Sequence, residues 1–140
     1  MIALCAIHNV CAAREAEQVY KTNGFARFAK RERIEDEALC EAVVRAGRGL
    51  LDADLGSGVI KQRVARPGQG RSGGFRTIVL FRAGKRAVFV DGFAKSDQAN
   101  IDDTDLTMFW GLASEFLRYS GEQVGRLVEA GAWIEVNCDD

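Results

Sequence analysis

Three consecutive stretches of strand-type sequence occupy the middle of the chain and limit what it can fold into. Residues 59–66, 75–81 and 86–93 are rich in β-branched and aromatic side chains. Only residues 83–85 join the last two stretches, and so short a connection predicts an antiparallel hairpin. The glycine-rich residues 67–74 join the first two, for which antiparallel pairing is again the simplest arrangement. The sequence therefore predicts an antiparallel sheet.

Helical patterns flank this sheet in the sequence. Apolar residues recur at helical spacing in four segments: residues 25–33, 35–50, 104–119 and 122–130. Trp110 is expected in the core, and Trp133 either in the core or facing a partner. Residues 18–22 and 133–136 are short segments that could form strands, whereas residues 52–58, with glycine and aspartate, are expected to form a loop. The order predicts an α+β fold, with N-terminal helices packed on a small antiparallel β-sheet and with C-terminal helices.

The cysteines fit a reducing compartment better than an oxidising one. A chain of 140 residues can bury a core without disulfides or metal. The spacing of its four cysteines matches no zinc pattern, and there is a single histidine, His8. Cys40 lies within an apolar helical pattern, so we expect a small core residue rather than a reactive thiol. These features predict a cytoplasmic protein with no metal site and no cofactor.

Residues 1–17 are expected to form an N-terminal extension, followed by a single domain over residues 18–140. Residues 1–13 are apolar and end in small side chains, which faintly suggests a signal peptide. No basic residue precedes the apolar run, however, and the run is short, so we favour an extension of the domain. The segment is also far too short to span a membrane.

The charges of the chain are segregated along the sequence. Residues 55–90 contain eight basic residues and no acidic one, although the whole chain has 19 Lys+Arg and 20 Asp+Glu. The eight are Lys61, Arg63, Arg66, Arg71, Arg76, Arg82, Lys85 and Arg86. Segregated positive charge indicates a phosphate backbone as partner. A solvated face that merely protects a sheet edge would interleave both signs.

Strand alternation predicts where these charges point. Lys61 and Arg63 share a face of the first strand, and Arg76 and Arg82 share a face of the second. If the strand register agrees, the four form one compact cationic patch on the sheet. The basic residues expected on or near the flexible loop beside it are Arg66 and Arg71.

Common catalytic motifs are absent from the sequence. There is no Ser-His-Asp pattern, and His8 stands alone in a segment of uncertain structure. The stretch GQGRSGG resembles a phosphate-binding loop only superficially, because it lacks the GK[ST] ending and would join two strands. Any chemistry is therefore expected to depend on lysine and arginine.

Three stretches together resemble the RelE/ParE superfamily of bacterial toxin–antitoxin toxins, in particular its RelE-like, HigB-like branch. They are KTNGFARFAKRERIEDEALCEAV, GSGVIKQRVARPGQGRSGGFRTIVLF and AVFVDGFAKSDQANID, and the resemblance covers residues 19–136. It implies two N-terminal helices packed on an antiparallel sheet, with helical elements at the C-terminus. Members of the RelE and HigB kind cleave mRNA, usually in the ribosomal A site. A cognate antitoxin, often a helix-turn-helix protein, neutralises them.

The resemblance also implies a set of site residues. Basic residues on the strand of residues 59–65 correspond to Lys61 and Arg63, and an arginine after a Gly-aromatic pair corresponds to Arg76. Lys95 represents a basic cluster that follows the last strand, but Ser96 stands where the family suggests an arginine. A C-terminal tyrosine of some members has no clear counterpart. The implied catalytic residues are thus Lys61, Arg63, Arg76 and Lys95.

RNA cleavage without metal needs a base for the 2′-OH, charge stabilisation at the phosphate and an acid for the leaving 5′-oxygen. We expect Arg76 to clamp the phosphate. Lys61 could act as the base if the neighbouring Arg63 charge favours its neutral form. Lys95 or Arg82 would add positive charge or donate a proton. RNA binding is assigned to Arg66, Arg71 and Arg82, and the ribosome could orient the mRNA.

Two alternatives have the same fold class. A ParE-like toxin would bind and inhibit DNA gyrase without cleaving RNA, although such members generally lack the complete basic set. A plain RNA-binding module would need exposed aromatic side chains for base stacking, whereas Phe75, Phe81, Phe89 and Phe93 alternate as core residues do. The expected partners are therefore mRNA, the ribosome and an antitoxin, with no membrane.

Overall fold

The computed structural model describes residues 18–66, 70–94 and 102–138. Within them, strands and helices follow in the order β1 (Gln18–Thr22), α1 (Asn23–Glu32), α2 (Asp36–Gly47), β2 (Ala53–Gly56), β3 (Val59–Arg66), β4 (Gly70–Arg82), β5 (Arg86–Ala94), α3 (Asp103–Phe116), α4 (Gly121–Glu129) and β6 (Trp133–Glu135). The predicted α+β architecture is confirmed. None of these helices combines the length and apolar character that crossing a membrane requires.

All six strands belong to one sheet, in the order β2-β3-β4-β5-β1-β6. The predicted antiparallel pairing of β3 with β4, and of β4 with β5, is confirmed. β1 is the exception, because it runs parallel to β5 and antiparallel to β6. Parallel neighbours need a long crossover connection, and the chain between β1 and β5 provides it. The sheet is therefore mostly antiparallel.

Helices cover both faces of the sheet. α1 and α2 pack on one face, where Phe25 and Leu39 meet Phe75 and Phe89 in a buried cluster. α3 and α4 pack on the other face around a second cluster, which contains Ile78, Leu80, Phe109, Leu117 and Trp133. On this second face Lys61, Arg63 and Arg76 of β3 and β4 remain partly exposed.

The helix ends are set by local polar contacts. The Thr22 hydroxyl accepts a hydrogen bond from the Phe25 amide at 3.2 Å, which caps α1. Asn23 and Gly24 are the first two residues of this helix, directly after β1 ends at Thr22. At the other end of the chain, Ser120 and Gln123 form a reciprocal capping box at the start of α4.

The loop predicted for residues 52–58 is wrong in part, because Ala53–Gly56 forms β2 and pairs with β3. Gly56, Ser57 and Gly58 all have positive φ values, of 92°, 51° and 88°, and they make the tight turn between the two strands. Glycine and aspartate in the sequence therefore indicated a hairpin turn, but the sequence pattern did not predict the short edge strand before it.

Cys40 is not the unpaired core residue that the sequence suggested. It is half-buried against the first core cluster and forms a disulfide with Cys138, 98 residues away. Asp36 supports the same junction, since its carboxylate accepts a hydrogen bond from the Asn137 amide at 3.0 Å and pairs with Lys21. The pairing depends on the return of the C-terminal segment beside β1, and spacing in the sequence does not show such a long-range contact.

Candidate functional site

A small pocket on the open part of the sheet brings three of the predicted site residues together. It has a volume of about 140 Å³ and is lined by Asp52, Ala53, Lys61, Arg63 and Arg76. The register explains the grouping, because Arg63 lies directly opposite Arg76, and Lys61 lies opposite Ala53 on one side and Ile78 on the other. Directly opposite residues share a face. The pocket is called the basic pocket below.

Gly74 sets the position of Arg76. A Cβ atom at Gly74 would collide with the Val64 carbonyl oxygen, and it would lie 3.2 Å from the Ala65 Cα. Only glycine permits this close approach of β4 to β3, beside an irregularity in their register after Val64. Phe75 then enters the core and Arg76 points to the opposite face.

Buried Gln62 holds the segment that delivers Asp52. Its Nε2 donates to the Ala42 and Leu50 carbonyl oxygens at 2.9 and 3.1 Å, and its Oε1 accepts from the Asp52 amide at 3.1 Å. One side chain thus ties α2, and the segment between α2 and β2, to β3. The three contacts join residues 10 to 20 positions apart in the sequence, which is why the sequence did not reveal them.

Asp52 is the site residue that the sequence reasoning missed. Its Oδ2 accepts a hydrogen bond from the Arg63 amide, and its Oδ1 lies 4.0 Å from the Arg63 Nε. Within the described residues, Oδ1 accepts no hydrogen bond. The carboxylate therefore orients Arg63 and still has an oxygen that can accept a proton. A polar residue directly before a short edge strand was the only signal in the sequence.

Arg76 carries an unsatisfied donor. Its Nε is buried without a hydrogen-bond partner, and no carboxylate of the described residues lies within ion-pair distance of its guanidinium. Lys61 likewise has neither a hydrogen bond nor an ion pair within that part of the chain. Buried donors are normally satisfied, so an unsatisfied guanidinium nitrogen beside a pocket is suited to an anionic ligand.

Arg82 does not belong to this group, and the prediction of a single patch with four cations is wrong in this respect. It lies six residues beyond Arg76 on β4, roughly 20 Å at the usual strand rise. Ile78 and Leu80, between them on the same face, are buried in the second core cluster. Arg82 lines a separate groove beside α3.

Most of the remaining predicted residues have side chains outside the described part of the structure. Arg66 and Arg71 lie in β3 and β4, next to the connection of residues 67–69, and their side chains are outside the described part of the structure. Lys95 and residues 1–17, with His8, also lie outside the described residues. Tyr119 packs against Phe116 and Trp133 rather than lining the basic pocket.

Asp91 of β5 is an acidic residue on the same face of the sheet as Arg76, directly opposite Ile78 of β4. Partial burial raises the pKa of its carboxyl group, and the nearby Asp105 charge adds to this effect. A hydrogen bond from the Gly92 amide, at 2.9 Å, lowers the same pKa in part. Burial and Glu115 similarly raise the pKa of Tyr119.

The aromatic side chains of the sheet face the core, as the sequence predicted. Phe75, Phe89 and Phe93 are buried, and Phe81 packs against the first core cluster. The sheet therefore offers no exposed aromatic platform for bases among these residues. What it offers at the basic pocket is cationic donors and one carboxylate.

A family model described as the RelE toxin of the RelE/RelB toxin–antitoxin system matches residues 17–136. The chain belongs to this family. Comparison with curated proteins gave no significant match. This RelE-family protein is therefore a toxin of the kind that is paired with an antitoxin, and the basic pocket lies within the matched region.

Proposed function

We propose that this RelE-family toxin is a metal-independent endoribonuclease that cleaves mRNA on the translating ribosome, in the manner of the HigB-like branch. The observation that supports this most is the basic pocket, where the register brings Lys61, Arg63 and Arg76 together. A cluster of cations with an unsatisfied guanidinium nitrogen suits a phosphate in its pentavalent transition state. A toxin that only bound another protein would not need this arrangement.

The proposed reaction is an attack of the 2′-oxygen on the adjacent phosphorus. The new O–P bond forms as the bond to the leaving 5′-oxygen breaks, which produces a cyclic phosphate and a free 5′-hydroxyl. Arg76 holds the non-bridging oxygens through its fork of donors, and Arg63 adds a second positive charge. Both groups act on charge that grows in the transition state, which is where electrostatic stabilisation is most effective.

Two groups in the basic pocket can take the proton from the 2′-OH. The Lys61 amine can do so in its neutral form, and the Asp52 carboxylate can do so through the oxygen that accepts no hydrogen bond from the described residues. If Asp52 is the base, the ammonium group of Lys61 is free to protonate the leaving 5′-oxygen. The two assignments differ in the effect of neutralising Asp52.

The other predicted cations have auxiliary roles in this proposal. Lys95 contributes positive charge to the reaction in this proposal, and Arg66 and Arg71 are assigned to RNA binding. The ribosome orients the message, which lowers the entropic cost of the reaction for a pocket of about 140 Å³. Cytoplasmic action and neutralisation by a helix-turn-helix antitoxin complete the proposal.

Primer extension on mRNA from a translation reaction tests the function directly. Discrete cuts are expected with the parent toxin and only when the message is being translated. Arg76→Ala should abolish them while thermal unfolding stays cooperative. Arg126→Ala is the matched control, because Arg126 is an exposed arginine on α4 whose only ion pair in the described residues is with exposed Glu122. Its cleavage should equal that of the parent.

Intact message with unimpaired translation would exclude the nuclease. The next measurement would then be DNA gyrase supercoiling, since inhibition there would indicate a ParE-like toxin. Full cleavage by Arg76→Ala would instead show that the reaction takes place elsewhere on the protein.

A further inference from the structure

A second concave surface lies at the C-terminal end of β4, six residues along the strand from Arg76 of the basic pocket. It has a volume of about 490 Å³, and its walls are the turn between β2 and β3, the end of β4 and one side of α3. α3 and the turn that follows it contribute a single stripe at helical spacing, which consists of Trp110, Ala113, Ser114, Leu117 and Arg118. We call this surface the α3 groove. It shares no lining residue with the basic pocket.

Trp110 is the main feature of the α3 groove. The helical pattern predicted a core position, but its side chain is 39% exposed. Its indole Nε1 donates to the Leu55 carbonyl oxygen at 3.0 Å, which fixes the ring against β2. Gly58 keeps the adjacent turn close, because a Cβ there would lie only 2.9 Å from the Leu117 Cδ1. An immobilised aromatic ring is thus presented to solvent at little further entropic cost on binding.

The charge of the α3 groove is positive. Arg82 and Arg118 line it, and no acidic residue does. Both arginines are exposed, and neither forms an ion pair within the described residues. The Ser57 and Ser114 hydroxyl groups add neutral hydrogen-bonding capacity. An occupant must therefore combine negative charge with a surface that packs on an indole ring.

Single-stranded RNA meets these requirements best. Its bases stack on exposed aromatic rings without regard to sequence, and its phosphates pair with arginine. The carboxylates of an acidic peptide would satisfy the arginines, but they would not use the fixed indole ring of the same groove as well. The sheet has no exposed aromatic platform among the described residues, so Trp110 supplies what the basic pocket lacks.

We propose that the α3 groove binds a segment of single-stranded RNA, with a base stacked on Trp110 and adjacent phosphates paired with Arg82 and Arg118. The ligand class rests on the proposed nuclease function, but the site is separate from the basic pocket. It would hold the RNA strand at a second point, roughly 20 Å from Arg76 along β4. Binding there does not require cleavage.

Tryptophan fluorescence tests the proposal because the chain has two tryptophans and Trp133 is only 3% exposed. The cleavage-deficient Arg76→Ala protein is titrated with a short oligouridylate, and saturable quenching is expected. Arg82→Ala and Arg118→Ala should each weaken binding several-fold and reduce the slope of log K against log salt by about 0.7. Arg126→Ala should bind as tightly as its parent, since Arg126 lies on α4, outside the groove.

Anisotropy of a labelled oligouridylate provides the readout for Trp110→Ala, which lacks the fluorescent group. The loss of one stacked base should weaken binding about 5- to 140-fold. Absence of quenching, or equal affinity of the two arginine variants and the parent, would overturn the proposal. Equal quenching by oligoglutamate would also overturn it, because charge alone would then explain binding.

The two proposals fail in different ways. If the toxin cuts translated mRNA but oligouridylate leaves Trp110 unquenched, the α3 groove is not an RNA site and the nuclease stands. If quenching is saturable and sensitive to Arg82 and Arg118 but no message is cut, the RNA site stands and the nuclease is wrong.

Discussion

Replacement of Arg86 by alanine should destabilise the protein without affecting its chemistry. Arg86 belongs to the acid-free basic segment, yet its side chain is only 4% exposed. Its Nη1 donates to the Phe116 and Tyr119 carbonyl oxygens, both at 2.9 Å. The Phe116 carbonyl is the last of α3, where helix carbonyls lack partners within the helix and the dipole is negative, and Tyr119 lies in the segment that follows. Arg86 therefore caps a helix.

The magnitude follows from two charge-assisted hydrogen bonds and one buried charge. Each such bond contributes about 1.5–3 kcal/mol. Part of that gain is offset, because a buried guanidinium is desolvated and the Arg86 Nε has no hydrogen-bond partner. We expect Arg86→Ala to lower the free energy of unfolding by about 2–4 kcal/mol. Because the Arg86 charge also lowers the pKa of Tyr20, against the effects of burial and Glu135, its loss should raise that pKa further.

Urea unfolding measures the first effect, and ultraviolet titration of tyrosine measures the second. Arg82→Ala is a matched control, because Arg82 of β4 lies directly opposite Arg86 of β5 but is exposed. It should change stability by no more than about 0.5 kcal/mol. If the two variants unfold at the same urea concentration, Arg86 does not cap the helix and the reasoning from its burial fails.

Four further substitutions give distinct results. Asp52→Asn keeps the shape of the side chain but removes its basicity, so cleavage should fall about 10²- to 10⁴-fold if Asp52 is the base; undiminished cleavage would leave Lys61 as the base. Gly74→Ala should lower the free energy of unfolding by about 1–3 kcal/mol and weaken cleavage, because it displaces Arg76. A variant as stable as its parent in urea would contradict the close approach of the two strands. The raised pKa of Asp91 means that folding favours its protonated form, so stability falls as pH rises from about 3.8 through the folded-state value. Asp91→Asn should therefore raise Tm at pH 7, by an amount that shrinks towards pH 3.8, and a constant difference would refute the assignment. Cys40→Ser should cost about 2–4 kcal/mol under oxidising conditions, because the disulfide closes a loop of 98 residues, and a difference that persists in reducing agent would point to packing instead.

The elements that the sequence predicted well depend on local patterns. β3, β4 and β5 combine strand-forming residues with a short turn, so their existence and antiparallel pairing were readable. Their register was not, because it depends on the fit of the whole sheet. β2 was missed since a short edge strand has too few residues to show alternation.

For the candidate site, strand alternation placed Lys61 and Arg63 on one face, and the observed pairing of Arg63 with Arg76 joined the two strands. Asp52 was missed because its position depends on Gln62, which bonds to α2 and to the segment after it. A buried glutamine between two site residues is not informative until the elements that it connects are known.

The acid-free segment is one feature in the sequence, but the fold divides it into groups with different physical roles. Arg76 is half-buried at the basic pocket, Arg82 is exposed at the α3 groove, and Arg86 is buried as a helix cap. All three alternate onto the same face of the sheet, so strand periodicity alone cannot separate them. What separates them is the packing of the third helix, because Ile78 and Leu80, between Arg76 and Arg82, are buried in one cluster with Phe109 of that helix, and Arg86 bonds to its last carbonyl. The sign of a charge pattern can therefore suggest a polyanionic partner, but the packing above the sheet decides which of the charges can reach it.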